Sequence, residues 1–327
     1  MTRTPTPLAS TLVRPLWRSS PALTAVGLGM LAAFVASLVG LAADPRVITG
    51  APAWLKPAKF AISSALYALT LAWVLSFVRD RPRLVRLVGS GSAFVLALEV
   101  GLIDLQAARG TTSHFNVATP LDAAVFVVMG AAILVLWALA ITLAVALFRQ
   151  TFADGALGWA LRLGLLLTVV GSGMGGLMTR PTEAQMASAH ATHRLPTSGA
   201  HTVGAPDGGP GLPGTGWSRE HGDLRVPHFL GLHAIQILPL VAMLAAGRIG
   251  SARKRERAVL VVAASYAALF VILLVQALAG EPVVAPGAAT LAALGAWLTA
   301  TAAALAFALA PGRNGSGAHA VDATVLR

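Results

Sequence analysis

The chain has 327 residues, of which 56% are hydrophobic and only 11% charged, with a formal net charge of +11 and no cysteine. A soluble protein of this size carries about 25% charged residues to cover its wetted surface, so the composition excludes an ordinary water-exposed globule and points to a lipid surround. The missing cysteines exclude disulfides, thiolate metal sites, iron–sulfur clusters and cysteine nucleophiles. The basic residues stand in short runs between apolar segments, which assigns them to loop anchoring and not to nucleic acid.

A membrane-spanning helix needs about 20 apolar residues, because the hydrocarbon core is about 30 Å thick and each residue rises about 1.5 Å. In chain order eight segments meet that length: Pro21–Ala43, 60–78, 87–108, 121–148, 157–178, 227–246, 258–279 and 288–310. The expected fold class is all-α, a polytopic bundle of about eight transmembrane helices forming a single membrane domain over 1–327. Residues 179–226 are inserted between the fifth and sixth helices as an extracytoplasmic loop. Arg14 and Arg18 precede the first segment, and small residues end it before Asp44. Its length exceeds the apolar core of a signal peptide, about 7–15 residues, so a retained helix is expected.

With the N-terminus placed in the cytoplasm, alternate loops sort the basic residues unevenly. Arg3, Arg14, Arg18, Arg79, Arg81, Arg83, Arg86, Arg149, Arg162, Arg248, Arg253, Lys254, Arg255, Arg257, Arg313 and Arg327 fall inside. Arg46, Lys56, Lys59, Arg109, Arg180, Arg194, Arg219 and Arg225 fall outside. That is 16 against 8 of the 24 basic residues, the bias of a protein with both termini cytoplasmic. The Arg- and Ala-heavy usage suggests a GC-rich bacterial genome, and the expected location is the inner membrane of a bacterium. The 179–226 loop is rich in Gly and Pro, which disfavours long regular structure. Both a flexible linker and an ordered cap are open readings.

Seven of the eight histidines lie outside in this topology, and only His319 is in the cytoplasmic tail. Imidazole is a common metal and haem ligand. His190, His193, His201, His221 and His228 are therefore candidate ligands for haem or a transition metal. Their spacing matches no HExxH or CxxCH pattern, and ordinary loop histidines are the competing reading. His190 and His193 would share a face if their stretch were helical, whereas His228 and His233 stand about 140° apart around a helix.

In the third segment, Glu99 lies nine residues from the outer end, about 13 Å deep. A carboxyl group at that depth must face the bundle interior, be protonated or be paired. His233 and Gln236 on the sixth segment reach similar depth, so Glu99, His233 and Gln236 form a candidate catalytic or proton-relay set, provided that those two helices pack together. A structural hydrogen-bond cluster is the alternative.

After the third segment, Arg109, His114, Asn116 and Asp122 are candidate ligand-binding groups for an unidentified small molecule. The same loop also supplies helix-capping groups, which is the other use of such residues. Trp54, Lys56 and Lys59 read as interfacial anchors. Gly171 and Gly175 have the spacing that lets helices approach closely, and Met174 and Met178 read as packing. Three functions are expected in order. First is a redox protein holding metal or haem on the extracytoplasmic side. Second is a permease or channel for a small polar or protonated solute. Third is a structural or assembly subunit of a membrane complex.

Overall fold

The computed structural model describes residues 8–310, so Arg3, Arg313, His319 and Arg327 lie outside the described residues. A short helix, α1 (Leu8–Ser19), leans on α2 (Pro21–Ala43) and on α3 (Leu55–Leu75). At the junction, Ser20 accepts a hydrogen bond from Leu23 N, and Pro21 opens α2 where its missing N–H costs nothing. A tiny hairpin of β1 (Val47–Ile48) and β2 (Ala51–Pro52) joins α2 to α3. The next helices are α4 (Pro82–Ala108), α5 (Pro120–Phe148) and α6 (Gly155–Gly173), followed by the single turn α7 (Gly175–Met178) and the short α8 (Glu183–Thr192). Strands β3 (Thr202–Val203) and β4 (Gly222–Asp223) pair across the remaining loop. The chain ends its described course with α9 (Arg225–Leu232), α10 (Ala234–Ala246), α11 (Ala252–Leu278) and α12 (Ala288–Leu309).

The fold is an all-α polytopic bundle. Seven helices are long and apolar enough to cross a membrane, and α9 with α10 makes an eighth span if the bent pair is counted as one. This differs from one straight helix over 227–246, because the pair bends by 45° at His233. The released backbone groups are taken up by Thr168 of α6. Its hydroxyl donates to Leu232 O at 3.2 Å and accepts from Ile235 N at 3.2 Å. An inserted side chain of this kind is a recognised cause of a sharp kink.

Another difference lies at the second segment. The helix starts at Leu55, five residues before the expected position 60, so Lys56 and Lys59 sit in its first two turns. Long amine side chains on an end turn can keep their heads at the polar level while their stems lie on apolar surface.

Within the bundle, α2 packs on α3, α4 on α5, α6 on α10 and α11, and α11 on α12. The central core joins Leu71 and Leu75 of α3, Leu143 and Leu147 of α5, Leu161 and Leu165 of α6 and Ile235 of α10. Small residues such as Ala61, Ala65, Ala68 and Ala72 line the buried face of α3. They let backbones approach where lipid supplies no hydrophobic drive for association. Large apolar side chains, including Phe94, Val127, Leu134, Leu298 and Phe307, are exposed around the outside, as a lipid-facing surface requires.

Loops 44–54, 109–119, 174–224 and 279–287 gather at one end of the bundle. Asn116 bridges Thr197, Gly50 lies against Gly208, and Gly222 against Ala277 and Gly280. The longest of these loops is an ordered cap. Thr182 and Gln185 form a capping box at the start of α8, and Gln185 also binds Gly199 O at 2.8 Å. Beneath the cap, Phe115, Met174, Met178, Leu224 and Phe270 form a second apolar cluster. The two methionines therefore serve packing.

Candidate functional site

The loop between α4 and α5 is held by its own polar groups. Arg109 donates to Asp122 at 2.7 Å, Gln106 Nε2 to the same carboxylate at 3.0 Å, and Thr119 Oγ1 to its other oxygen at 2.6 Å. Asn116 Nδ2 donates to Thr111 Oγ1 at 2.9 Å, and its side-chain oxygen accepts from Ala118 N at 3.1 Å. Three of the four predicted ligand-binding residues, Arg109, Asn116 and Asp122, are thus engaged in shaping the loop. The fourth, His114, sits between the rings of Phe60 and Phe115, with centroids 5.5 and 6.1 Å away, and Ser113 Oγ is 3.0 Å from its Nδ1.

His201 is placed by the cap. Its Nδ1 lies 2.6 Å from Asp207 Oδ2, and the same carboxylate accepts from the backbone N–H groups of His201 and Thr202. The imidazole packs on Phe115 at 4.8 Å. His228, on α9, places its Nδ1 2.7 Å from Gly171 O. An imidazole whose Nδ1–H is held by an oxygen presents Nε2 as a lone pair, and His201 and His228 share that arrangement.

The close approach of α6 and α9 positions His228. A Cβ built on Gly171 would lie 2.5 Å from Gly231 Cα. Gly171→Ala is therefore expected to push the helices apart and to lower stability by about 1–3 kcal/mol. Thermal unfolding in detergent checks this, with Gly176→Ala, which has nothing within 4 Å of its built Cβ, as the unchanged control.

His114, His201, His228 and Lys56 lie near enough for their charges to interact. Lys59 and Arg225 add to the same field. Lys59 Nζ donates to Thr215 O at 2.7 Å, and Arg225 donates to Gly216 O at 2.6 Å while pairing with the buried Asp223. Burial first, then the positive field of Lys56 and the other histidines, holds His114 well below the ordinary imidazole range. Burial also lowers His201; the Asp207 hydrogen bond opposes this, while Lys56 and Arg225 reinforce it. Burial alone would raise Asp207, but its bond to His201, that group's charge and two backbone N–H donors keep its carboxyl well below the usual range.

The other predicted metal ligands are not drawn in. His190 is exposed on α8, and His193 is its exposed left-handed cap with φ 55°. His221 lies on the approach to β4, where its backbone N–H binds Ser218 Oγ. Among the described residues, no group of three or more His, Asp or Glu is arranged to hold a metal ion.

Glu99 is buried, 4% exposed, with Oε1 free of any partner. Its helix packs against α2, α3 and α5. His233 and Gln236 stand elsewhere, at the α9–α10 bend, which packs on α6 and α11. Among the described residues no hydrogen bond joins Glu99 to either one. The charge that acts on Glu99 is that of Lys56.

Lys56 and Asp207 were not among the predicted site residues. Lys56 looks like an interfacial anchor, and Asp207 like a turn residue in a Gly/Pro run. The available signal was that Asp207 is the only acid between Glu183 and Glu220, in a stretch that also holds His201.

Comparison with family models, curated proteins and solved structures gave no match. Fold and site together define a class: a polytopic helical membrane protein whose ordered cap roofs a cationic, imidazole-rich cluster at one end of the bundle.

Proposed function

We propose that the protein is a permease-type carrier that binds a small anionic solute beneath the cap and exchanges protons with it. The observation that carries this reading is the charge balance of the site. Lys56, Lys59 and Arg225 share the space with three histidines and outnumber the cap's two carboxylates: Asp223 is already paired with Arg225, and Asp207 is held by His201, which leaves an excess of positive charge. Such a field attracts an anion and repels a metal cation. The free Nε2 atoms of His201 and His228 supply acceptors, or donors once protonated.

The test uses purified protein and four probes: acetate, lactate, succinate and inorganic phosphate. Binding raises the melting temperature according to ligand excess. At least one probe should do so in the native chain and fail to do so in Lys56→Met. If none of the four shifts the native protein, the reading is wrong.

A second reading, a redox protein with haem or a metal on the extracytoplasmic side, is favoured by the two Nδ1-anchored histidines, because anchoring of this kind orients metal-bound imidazoles. It requires a Soret band or stoichiometric metal in protein purified without chelator. A colourless, metal-free preparation excludes it.

In this proposal the chain lies in a bacterial inner membrane with both termini cytoplasmic and the cap outside, as the 16-to-8 bias of basic residues supports. Because the chain has no cysteine, Ser188→Cys on the exposed face of α8 is a single reporter. A membrane-impermeant maleimide should label it from the extracytoplasmic side. Labelling only from the cytoplasmic side would reverse the topology.

A further inference from the structure

Lys56 stands between two sets of groups, the cap cluster above it and Glu99 below it. On α3, Lys56 and Phe60 are four residues apart and share a face, and the amine lies 5.8 Å from the Phe60 ring centre. Phe60 packs into the clusters that contain Val100 and Ile103 of α4. Glu99 precedes Val100 and is one turn before Ile103. Phe60 therefore packs between the Lys56 amine and the stretch of α4 that carries Glu99, and the Lys56 charge lies near enough to act on that carboxyl. Among the described residues its amine has no hydrogen-bond or ion-pair partner, and neither does Glu99 Oε1, which is buried.

The other charged and titratable groups facing Glu99 are few. Helix α2 carries none. Helix α3 adds Lys59, whose amine is bound to Thr215 O, and Tyr67. Helix α5 adds Asp122, already held by Arg109, Gln106 and Thr119. On α4 itself Asp104 is five residues on, about 140° around the helix. Lys56 is therefore the one cation in this neighbourhood whose charge is shared between a buried carboxyl and an open site.

We infer that Lys56 couples the two: an anion binding at its amine withdraws that charge from Glu99, and Glu99 takes a proton from solution, so that one anion and one proton enter the protein together. The inference rests on the anion reading above. Its physical basis is reciprocity. A buried carboxylate is tolerated while a cation faces it and becomes costly when another anion claims that cation. If an anion raises the proton affinity of Glu99, protonation of Glu99 must strengthen the anion's binding by the same factor.

The experiment measures anion affinity at several pH values, and proton uptake from a weakly buffered solution with a pH dye, in the full chain. The probes are the same four anions. In the native protein, affinity should rise about tenfold as pH falls across the transition, within the usual range of coupling between sites. About one proton should be taken up for each anion bound. Glu99→Gln keeps shape and hydrogen bonding, and should bind the anion with the pH dependence and the proton uptake both lost. Lys56→Gln in the Glu99→Gln background removes both charges together, which guards against a fold lost through one unpaired charge, and it should no longer bind the anion. If Glu99→Gln still takes up the proton, the imidazoles supply it and the coupling is wrong while the anion site stands. If no probe binds the native protein, both readings fall.

Discussion

Replacing Asp223 by alanine is expected to release the cap and to cost the protein about 3 kcal/mol or more, the usual penalty for stripping one partner from a buried ion pair. The Asp223 side chain is 0% exposed, and it accepts five hydrogen bonds that tie three parts of the cap together. They come from Ser218 N, from Arg225 N and from the Arg225 guanidinium, which also reaches Gly216 O. Without the carboxylate, Arg225 keeps a partly buried charge with no acid to face, directly beside the backbone pairing of β4 with Thr202. Limited proteolysis checks the result: cleavage between Gly204 and Glu220 should appear in Asp223→Ala under conditions that leave the native cap intact. Asp223→Asn retains some acceptors and should fall between the two. A native-like protease pattern for Asp223→Ala would show that the cap is held by its apolar underside instead.

Acidification from about pH 7 to about pH 5 is expected to destabilise the capped end, and the sign follows from two of the histidines outside the spans. His114 and His201 are both held below the ordinary imidazole value, chiefly by burial. An unfolded histidine takes its proton near pH 6.5. Between that pH and the lower folded value the unfolded chain binds more protons, so stability falls as pH falls. Each such group contributes at most about 1.4 kcal/mol per pH unit over that window. Asp207 acts in the same direction but lower, because a carboxyl held below its usual range loses its contribution only as pH drops below about 4. Melting temperature against pH should therefore slope downward below about pH 6.5. His114→Gln, which cannot titrate, should flatten part of that slope. A profile that is level from pH 7 to pH 5 would mean that both imidazoles ionise freely in the folded protein.

Composition and apolar run length alone determined that this chain is a helical membrane bundle, and nearly where each spanning helix lies. A segment of about 20 apolar residues has few other stable fates, because its backbone must satisfy itself in lipid. Helix ends were legible where Pro and a capping residue coincide, as at Ser20–Pro21 and Thr119–Pro120. The break at His233 was not legible. It depends on Thr168 of another helix reaching into the ladder, and on Gly171 meeting Gly231. Single residues did not show which groups meet. Glu99 stood out because a lone carboxyl in an apolar run is costly, yet its charged neighbour was unreadable, since periodicity reports a helix face and not which helix the face meets. The tertiary structure brought the Lys56 charge of α3 within reach of Glu99 and carried His233 and Gln236 to a bend packed on α6 and α11. The histidines were likewise countable but not sortable. His190 and His193 face solvent on α8, whereas His201 is drawn under the cap by Asp207, six residues away in a loop with no periodicity to read. Which polar groups meet is decided by how the helices and the cap close on one another, and that information is distributed over contacts far apart in the chain.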